Sequence, residues 1–386
     1  MLVPETSNRK GYLLYGGRRL FTFSEPRRLN SLTQETKPSP IHRIDLPRIV
    51  LVGGGVVEHL DEVCKELGFS RALIVTGRNT YGVAGKRSMD ILEAGGIRTE
   101  CVFVENAQLE TVGRVMEKVE GQGSHVVIGV GGGRNIDVAK LAAARTGSAF
   151  ISVPTVASHD GIASSSASVK GTERPYTIRA VSPIAVVMDS EIISKSPYRF
   201  TASGCGDVIS KATEVEDWKL AHVENGDYYG AYAGSLALMS SQLVMENAEI
   251  IRSQSEDGIR SLLEALVSCG VSMSIAGSTR PCSGSAHLFS HALDIIALKP
   301  ALHGEQCGVG CMMMAMLHGL DWEEIMGSLE VIGAPMTAED LEIDRETVIK
   351  ALTIAQSIRP DRYTILSKVR LDEAAAEELA EACGVI

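Results

Sequence analysis

From Leu46 onward, short apolar runs alternate with segments of helical periodicity. The runs are rich in valine and isoleucine and read IVLVGG, ALIVTG, CVFVEN, HVVIGVGGG, AFISVPT and AVVMDS. Between them, segments such as VVEHLDEVCKEL and LETVGRVMEKVEGQ repeat their apolar residues with the period of a helix. Strands that are apolar on both faces and alternate with amphipathic helices indicate a parallel sheet covered on both sides. We therefore predict a doubly wound α/β domain of nucleotide-binding type over residues 45–192.

The strand pattern stops after about Ser190. The stretches GDVISKATEVEDWKLAHVE, GSLALMSSQLVMENAEIIRSQ and IRSLLEALVSCGVSMSIAG have the length and periodicity of helices. This change predicts an all-α C-terminal domain over residues 193–386. Because open parallel sheets bind ligands beyond the carboxyl ends of their strands, we expect the functional site between the two domains.

The first 44 residues differ from the rest of the chain. Residues 1–44 carry eight lysines and arginines against three glutamates, and they show no sustained periodicity of a helix or of a strand. This composition predicts a poorly ordered extension rather than a targeting device.

Composition and charge exclude several classes of function. The 386 residues are 45% hydrophobic and 22% charged, as in a globular protein of two domains. A net charge of −11 argues against a nucleic-acid partner, because phosphate binding needs a basic face. The eight cysteines lack disulfide-like or CxxC spacing, which predicts reduced thiols. No run reaches the roughly 18 apolar residues of a membrane span, so we expect a cytoplasmic protein.

Three histidines lie within SAHLFSHALDIIALKPALHGEQ. A helix puts His287 and His291 on one face, and a proline ends that helix so that the chain returns with His303 beside them. Catalytic zinc sites use three protein ligands and leave a fourth position open, so the pattern is typical of a zinc enzyme. A hydrogen-bonded histidine cluster at a helix end is the alternative. Cys307 and Cys311 are further candidate ligands, although CGVGCMMMAML has the composition of a buried apolar helix.

A glycine turn follows the fourth apolar run. HVVIGVGGGRNIDVAKLAAA predicts a strand, a turn at Gly131, Gly132 and Gly133, and a helix. These glycines would let the backbone approach a pyrophosphate, and the first amides of the helix would supply donors. The spacing is not GxGxxG, so a tight turn that binds nothing is the alternative. The next loop, PTVASHDGIASSSASV, suits either a ligand-wrapping loop or a plain solvated one.

Four segments together resemble a known family. GGGRNIDVAK, PTVASHDGIASSSASV, SGCGDVISKATEVEDW and SGSAHLFSHALD with LHGEQCGVG are similar, in order and spacing, to the sn-glycerol-1-phosphate dehydrogenases of archaea. Their superfamily includes glycerol dehydrogenase, iron-activated alcohol dehydrogenases and 3-dehydroquinate synthase. The resemblance, which runs from about Leu46 to near the C-terminus, implies a dehydroquinate synthase-like fold. It also implies an NAD(P)- and zinc-dependent reversible reduction of dihydroxyacetone phosphate to sn-glycerol 1-phosphate, for the backbone of archaeal membrane phospholipids.

The resemblance also implies the roles of particular residues. It makes Asp207, His287 and His303 the ligands of one zinc ion per subunit, which would polarise the substrate carbonyl. It places Asp160, Asp207 and His291 against the substrate. Asp160 and His291 are then the candidate catalytic proton donors. The implied cofactor positions follow two neighbouring strands: Gly133, Arg134, Asn135, Ile136, Asp137, Thr155, Val156, Ala157, Ser158 and Ser164.

Cofactor choice depends on the end of the second strand, ALIVTGRN. An enzyme strict for NAD usually places an acid there to hold the ribose 2′-hydroxyl. This segment has no acid, and Arg78 could pair with a 2′-phosphate. We therefore expect both NAD and NADP to be used.

Several points stay open at this level. The substrate phosphate needs a cation, and four candidates lie near the motifs: Lys211, Arg280, Lys140 and Lys170. Ala286 departs from the SGSEH of many relatives, but it is not a ligand position. Two alternative functions remain. A glycerol dehydrogenase would share the fold, the metal and the cofactor. A 3-dehydroquinate synthase would have a glutamate where this chain has Asp207. We expect a small-molecule substrate and a homo-oligomer.

Overall fold

A computed structural model describes residues 12–15, 18–22, 42, 44–171 and 176–386. The strands are β1 (Tyr12–Tyr15), β2 (Arg18–Thr22), β3 (Ile49–Gly53), β4 (Arg71–Thr76), β5 (Arg98–Phe103), β6 (Val126–Gly131), β7 (Ala149–Pro154), β8 (Ser166–Val169), β9 (Tyr176–Arg179) and β10 (Ala185–Asp189).

The helices follow the same chain order. Those between strands are α1 (Leu60–Glu66), α2 (Arg78–Thr80), α3 (Lys86–Ala94), α4 (Leu109–Gln122) and α5 (Gly133–Thr146). Those after the last strand are α6 (Ser190–Ser194), α7 (Tyr198–Ile209), α8 (Lys211–Asn225), α9 (Ala231–Glu246), α10 (Ala248–Arg252), α11 (Glu256–Ala276), α12 (Ser285–Ile296), α13 (His303–His318), α14 (Trp322–Ile332), α15 (Arg345–Ile358), α16 (Ile365–Val369) and α17 (Glu373–Ala382).

Six strands form one sheet in the order β3-β10-β7-β6-β4-β5. All neighbours in it are parallel, and its members are the six apolar runs of the sequence. Alternate residues of each strand enter two cores, because successive side chains point to opposite faces. Ile74 packs with Leu60 and Leu92 of α1 and α3, whereas Leu73 packs with Val115 and residues of α5. The prediction of a parallel sheet covered on both sides is confirmed.

After β10, every described element is a helix, as the sequence predicts. These helices surround one large apolar core, in which α13 is buried from Gly304 to Leu317. That burial explains why CGVGCMMMAML is apolar on all sides rather than along one stripe. The fold class is confirmed, while the domain limits at residues 192 and 193 stay a prediction.

Helix α11 is long and apolar enough to span a membrane by length and composition, with a mean hydropathy of 1.4 over its window. However, 67% of that window is buried inside the fold, where α11 packs against α9 and α7. Burial of this kind is typical of a core helix.

The N-terminal segment contains structure that its sequence did not predict. Strands β1 and β2 pair antiparallel, with Tyr12 opposite Thr22. Most other residues before Ile44 lie outside the described residues, and so does most of the predicted poorly ordered extension.

Candidate active site

The site lies at the carboxyl edge of the parallel sheet, where the turn after β6 and the loop after β7 lie side by side. These two strands are neighbours, and Thr155 N donates to Gly131 O at 3.1 Å just beyond their ends. Helices α7, α8, α12 and α13 supply the other side chains. The structure therefore brings the glycine turn and the histidine segment, which are far apart in sequence, to one place.

The glycine turn needs glycine for two reasons. Gly131 has φ of 140°, a conformation that L residues rarely adopt, and a Cβ there would collide with the amide of Asn135. Asn135 Nδ2 in turn donates to Val130 O at 3.2 Å and to Thr80 Oγ1 at 2.9 Å, which ties the turn to the end of β4. A Cβ on Gly133 would collide with the ring of His159.

Helix α5 begins at Gly133, and no side chain caps its N-terminus. Its first amides therefore keep donors and a partial positive charge that fit a bound pyrophosphate. The adjacent loop residues Thr155, Ala157 and Ser158 are buried beside this turn. The arrangement fits a dinucleotide better than it fits a turn that binds nothing.

Other implied cofactor residues have their side chains engaged within the protein. Ile136 belongs to the core beneath the sheet. Asp137 accepts from Ser168 N at 3.0 Å and lies 3.3 Å from Lys140 Nζ. Ser164 Oγ donates to Ser166 O at 3.3 Å. The contact of Asp137 ties α5 to β8, and that of Ser164 shapes the loop before β8.

The remaining two implied positions lie at the edge of the pocket. Arg134 Nη1 donates to the carbonyl of Glu105 at 2.6 Å. A Cβ on Gly132 would lie 3.5 Å from a Val156 methyl group, so Val156 packs against the glycine turn.

A carboxylate from the neighbouring strand lies beside the segment after β4. Although the segment after β4 has no acid, the neighbouring strand β5 leads to Glu105, whose Oε1 lies 3.8 Å from Arg78 Nε. Both residues, together with Arg134, line one small cavity. The sequence pattern missed Glu105 because the sheet order, which places β5 beside β4, is not visible in the chain order.

Three of the proposed metal ligands come together. Asp207 comes from α7, His287 from α12, and His303 is the first residue of α13. Asp207 Oδ1 lies 3.6 Å from His287 Nε2, and the two imidazole centroids are 4.8 Å apart. Donor atoms of these residues and of Cys307 all lie within 4.8 Å of one another. Cys311 lies outside this group, with its sulfur against Ile209 O at 3.7 Å.

The charge states of these donors fit a divalent cation. Burial lowers the pKa of His287 well below its ordinary value, and burial lowers the pKa of His303 to about 4. Both imidazoles are therefore neutral at pH 7 and have a lone pair to offer. Burial would raise the pKa of Asp207, but the charge of Lys211 holds it below the ordinary value. Neutral imidazoles and an ionised carboxylate are the forms that bind zinc.

Residues behind the ligands fix their orientation. Glu214 Oε1 lies 2.8 Å from His287 Nδ1 and accepts from His287 N at 3.2 Å. Ser290 Oγ lies 3.1 Å from His303 Nδ1. Partners at Nδ1 leave Nε2 as the metal-binding nitrogen. Neither Glu214 nor Ser290 was predictable from the sequence as a partner of these histidines.

Lys211 is also part of this cluster. Its ammonium lies 2.6 Å from Asp207 Oδ1 and 3.0 Å from Asp160 Oδ2. Asp160 N donates to Asp207 Oδ2 at 2.7 Å. The four-residue spacing of Asp207 and Lys211, typical of a helical ion pair, was the signal that could have joined them.

The two candidate proton donors both lie beside the ligands. The ring of His291 stacks on that of His303 with centroids 5.9 Å apart, and its Nδ1 lies 3.8 Å from Asp294 Oδ2. Asp160 is held by Lys211, as described above. His159, which sequence analysis did not single out, lies between the glycine turn and His303, with ring centroids 6.3 Å apart.

Three of the four candidate phosphate cations lie elsewhere or are fully engaged. Lys140 is buried and donates to Gly161 O at 2.5 Å and Ser166 O at 2.7 Å. Arg280 pairs with Asp227, and Lys170 is exposed at the end of β8. Only Lys211 adjoins the histidines.

Comparison with known proteins identifies the family. The sequence profile described as iron-containing alcohol dehydrogenase matches residues 51–197. A glycerol-1-phosphate dehydrogenase (NAD(P)+) of Methanosarcina acetivorans is 52% identical over 344 residues, 89% of this chain and 96% of that protein. The protein of that name from Thermococcus kodakarensis is 49% identical over 347 residues, 90% of this chain and 99% of that protein.

Solved structures agree on the fold. Glycerol dehydrogenase from Schizosaccharomyces pombe superposes with a TM-score of 0.75 at 19% identity, covering 89% of this chain and 91% of that one. A probable glycerol dehydrogenase from Sinorhizobium meliloti gives 0.71 at 21% identity, covering 89% and 98%. At such identities the likeness concerns the fold alone. The relatives near 50% identity confirm the resemblance seen in the sequence, and this chain belongs to the glycerol-1-phosphate dehydrogenase family of oxidoreductases.

Proposed function

We propose that this chain reversibly reduces dihydroxyacetone phosphate to sn-glycerol 1-phosphate with NADH or NADPH, using a zinc ion. The observation that carries the proposal is the convergence of Asp207, His287 and His303 beside the uncapped N-terminus of α5. One half of the site suits a metal and the other a pyrophosphate. A hydrogen-bonded histidine cluster would not need a buried carboxylate among its members.

Asp207, His287 and His303 would hold the zinc ion and leave one position open to the substrate. When bound, zinc supplies Lewis acidity toward the C2 carbonyl oxygen. Glu214 and Ser290 keep the two imidazoles oriented, because each contacts an Nδ1 and leaves the Nε2 of that ring available to a metal ion. The two imidazole rings are therefore held in place before an ion binds.

The glycine turn and the first turn of α5 would hold the cofactor phosphates through backbone amides. When bound, NADH or NADPH supplies the hydride that reaches C2. The loop from Thr155 to Ser158 lies beside the turn and connects it to Asp160 and the histidines. This connection would orient the nicotinamide end toward the substrate.

We propose that His291 donates the proton of the new hydroxyl group. Its side chain is 18% exposed and stacks on His303, so it can exchange protons with solvent while it contacts the substrate. Asp160, in contrast, is tied to the buried ammonium of Lys211. Its backbone and carboxylate would instead position the substrate hydroxyls.

Lys211 balances the carboxylates rather than binding the substrate phosphate. It is fully buried and already contacts Asp207 and Asp160, so little of its charge remains for a third anion. We also propose a role in membrane phospholipid backbone synthesis, a cytoplasmic location and a homo-oligomeric state, as the resemblance implies.

The test compares oxidation of NADH and NADPH with dihydroxyacetone phosphate and with unphosphorylated dihydroxyacetone. We expect turnover of the phosphorylated ketone with both cofactors, and its loss after zinc is removed by a chelator and its recovery when zinc is returned. Faster turnover of the unphosphorylated ketone would instead indicate a glycerol dehydrogenase. Turnover unaffected by complete metal removal would contradict the zinc assignment.

A further inference from the structure

A second cavity lies at the amino edge of the parallel sheet, opposite the active site. It has a volume of about 740 Å³ and is lined by residues from both halves of the chain. The first residues of β7, Ala149 and Phe150, mark it as the amino edge. The last turn of α11 and the segment after α15 form its other walls. It meets the loop of the active site at Ser166, whose carbonyl oxygen accepts from Ser164 and Lys140.

The lining carries an excess of positive charge. Arg179 comes from the end of β9, and Arg359 and Arg362 come from the segment after α15. Among the described lining residues, Asp45 is the one carboxylate. Arg359 also lies 3.6 Å from Asp361, outside the lining. The remaining polar groups include the hydroxyls of several serines and one threonine, which can donate to an anion.

Arg362 is the strongest sign of a ligand. Its side chain is buried, with 7% of the residue exposed, and it donates to two neutral oxygens, Ser283 O and Thr279 Oγ1. Within the described part of the chain it forms no ion pair. A buried charge is costly unless it is paired, and the carboxylates that attract Arg362, Glu214 and Asp361, form no ion pair with it. Burial, Arg359 and Arg280 together lower the pKa of Arg362 to about 9.

We propose that this cavity binds a phosphorylated small molecule, with its phosphate held between Arg179, Arg359 and Arg362. A phosphate would supply negative charge for these arginines, and the arginine forks match its oxygens. The cavity is larger than a single phosphate needs, which leaves room for the organic part of the molecule.

The position of the cavity would let a bound ligand affect the active site. Arg179 belongs to the α/β half and the other two arginines to the helical half, so one bound phosphate joins the two. Arg362 also holds Thr279 and Ser283, which lie just before α12, the helix of His287. A bound anion would therefore steady both the relation of the halves and the start of that helix.

Isothermal titration of inorganic phosphate and of glucose 6-phosphate into the zinc- and NADH-loaded protein tests this, at constant ionic strength set with chloride. We expect binding to wild type and at least a tenfold loss of affinity in the double variant Arg179→Gln/Arg359→Gln, because each arginine supplies a charge-assisted contact. These two arginines are more exposed than Arg362, so the variant keeps the buried contacts of the fold. Arg260→Gln, on the exposed face of α11, is the matched control and should bind like wild type.

The substrate pocket is a competing phosphate site, and the double arginine variant distinguishes the two sites because it leaves the metal ligands and the glycine turn unchanged. Loss of binding in this variant therefore assigns the ligand to the cavity. Tighter binding of the sugar phosphate identifies a phosphorylated metabolite, whereas tighter binding of inorganic phosphate overturns that choice of ligand. Equal affinity in wild type and the double variant overturns the site.

Discussion

The ammonium of Lys211 lies 2.6 Å from Asp207 Oδ1, and both side chains are fully buried. The same ammonium lies 3.0 Å from Asp160 Oδ2, so one cation serves two carboxylates. Desolvated charges of like sign this close together are costly unless they are balanced. The cluster therefore has a deficit of positive charge that a divalent cation beside Asp207 would fill.

Replacing Lys211 by methionine should make the stability of the protein strongly dependent on metal. Without metal, Lys211→Met leaves the buried carboxylate of Asp207 and the half-buried one of Asp160 without their counter-ion, and we expect a loss of about 3 to 5 kcal/mol in the free energy of unfolding. Zinc should restore more stability to the variant than to wild type, since it supplies the missing charge. Denaturant unfolding with chelator and with zinc measures both values.

The matched control is Lys65→Met. Lys65 forms an exposed pair with Asp61 at the same four-residue spacing, and its loss should cost less than about 1 kcal/mol in either condition. If metal stabilises the Lys211 variant no more than it stabilises wild type, the metal does not compensate for a deficit of positive charge.

Variants of the metal ligands and of the proton donor should lose activity for different reasons. His303→Ala and Asp207→Asn should abolish activity with loss of bound metal, because each removes a donor from the ion. His291→Ala should keep the metal and lose turnover by about 10²-fold or more, since it removes only a proton donor. Elemental analysis of the purified variants beside steady-state rates separates these outcomes. Full zinc occupancy in both ligand variants would remove the assignment.

Glu214 should matter to metal affinity through the hydrogen bond that it accepts. Glu214→Leu keeps the volume but leaves His287 Nδ1 without its partner, and we expect zinc to bind about 10- to 100-fold more weakly. Burial and Asp217 raise the pKa of Glu214 well above its ordinary value. The main role of Glu214 is therefore to accept this hydrogen bond rather than to carry a charge. Glu214→Gln, which keeps an acceptor oxygen, should stay near wild type. Chelator competition measures the Kd, and unchanged binding in the leucine variant would contradict the role.

The fold was predictable because its signals are local. Each buried parallel strand is a continuous apolar run, and each covering helix shows its own period, so type and order follow from short windows of sequence. The convergence of His287, His291 and His303 was predictable for the same reason, since one helix and one return of the chain bring them together. The structure confirms this arrangement, with centroids of His287 and His291 6.4 Å apart.

The rest of the site depends on contacts between distant segments. Asp207 is one of 48 acidic residues, and only the resemblance to a family selected it. Glu214 meets His287 across 73 positions, and Glu105 lies close to Arg78 because β5 lies beside β4 in the sheet. No periodicity encodes such pairings, because they follow from how complete elements pack.

Gly131→Ala should weaken cofactor binding through the backbone. At φ of 140° an added Cβ is strained by about 1 to 3 kcal/mol, and it collides with the Asn135 amide that holds the turn. We expect NADH affinity to fall about tenfold or more, measured by fluorescence titration. Gly113→Ala on α4 is the control, because a Cβ there meets no atom and should stabilise the helix by about 0.5 to 1 kcal/mol. An alanine at position 131 that binds NADH like wild type would show that the turn does not hold the cofactor.

Arg78 and Glu105 should shift cofactor preference in opposite directions. Arg78 is 78% exposed, lies 5.8 Å from the centroid of Phe103 and pairs loosely with Glu105 in the pocket after β4. A cation there attracts a 2′-phosphate, and the carboxylate repels it. Arg78→Asp should therefore move the KM ratio toward NAD by about tenfold, the equivalent of a charge-assisted contact of about 1.4 kcal/mol. Glu105→Gln should move it toward NADP, by less, because this pair is exposed and screened by solvent. The test is to measure the KM of both cofactors in both variants. A KM ratio that is unchanged in each variant would place this pair outside the ribose site. The assignments of the glycine turn and of the metal ligands do not depend on that outcome.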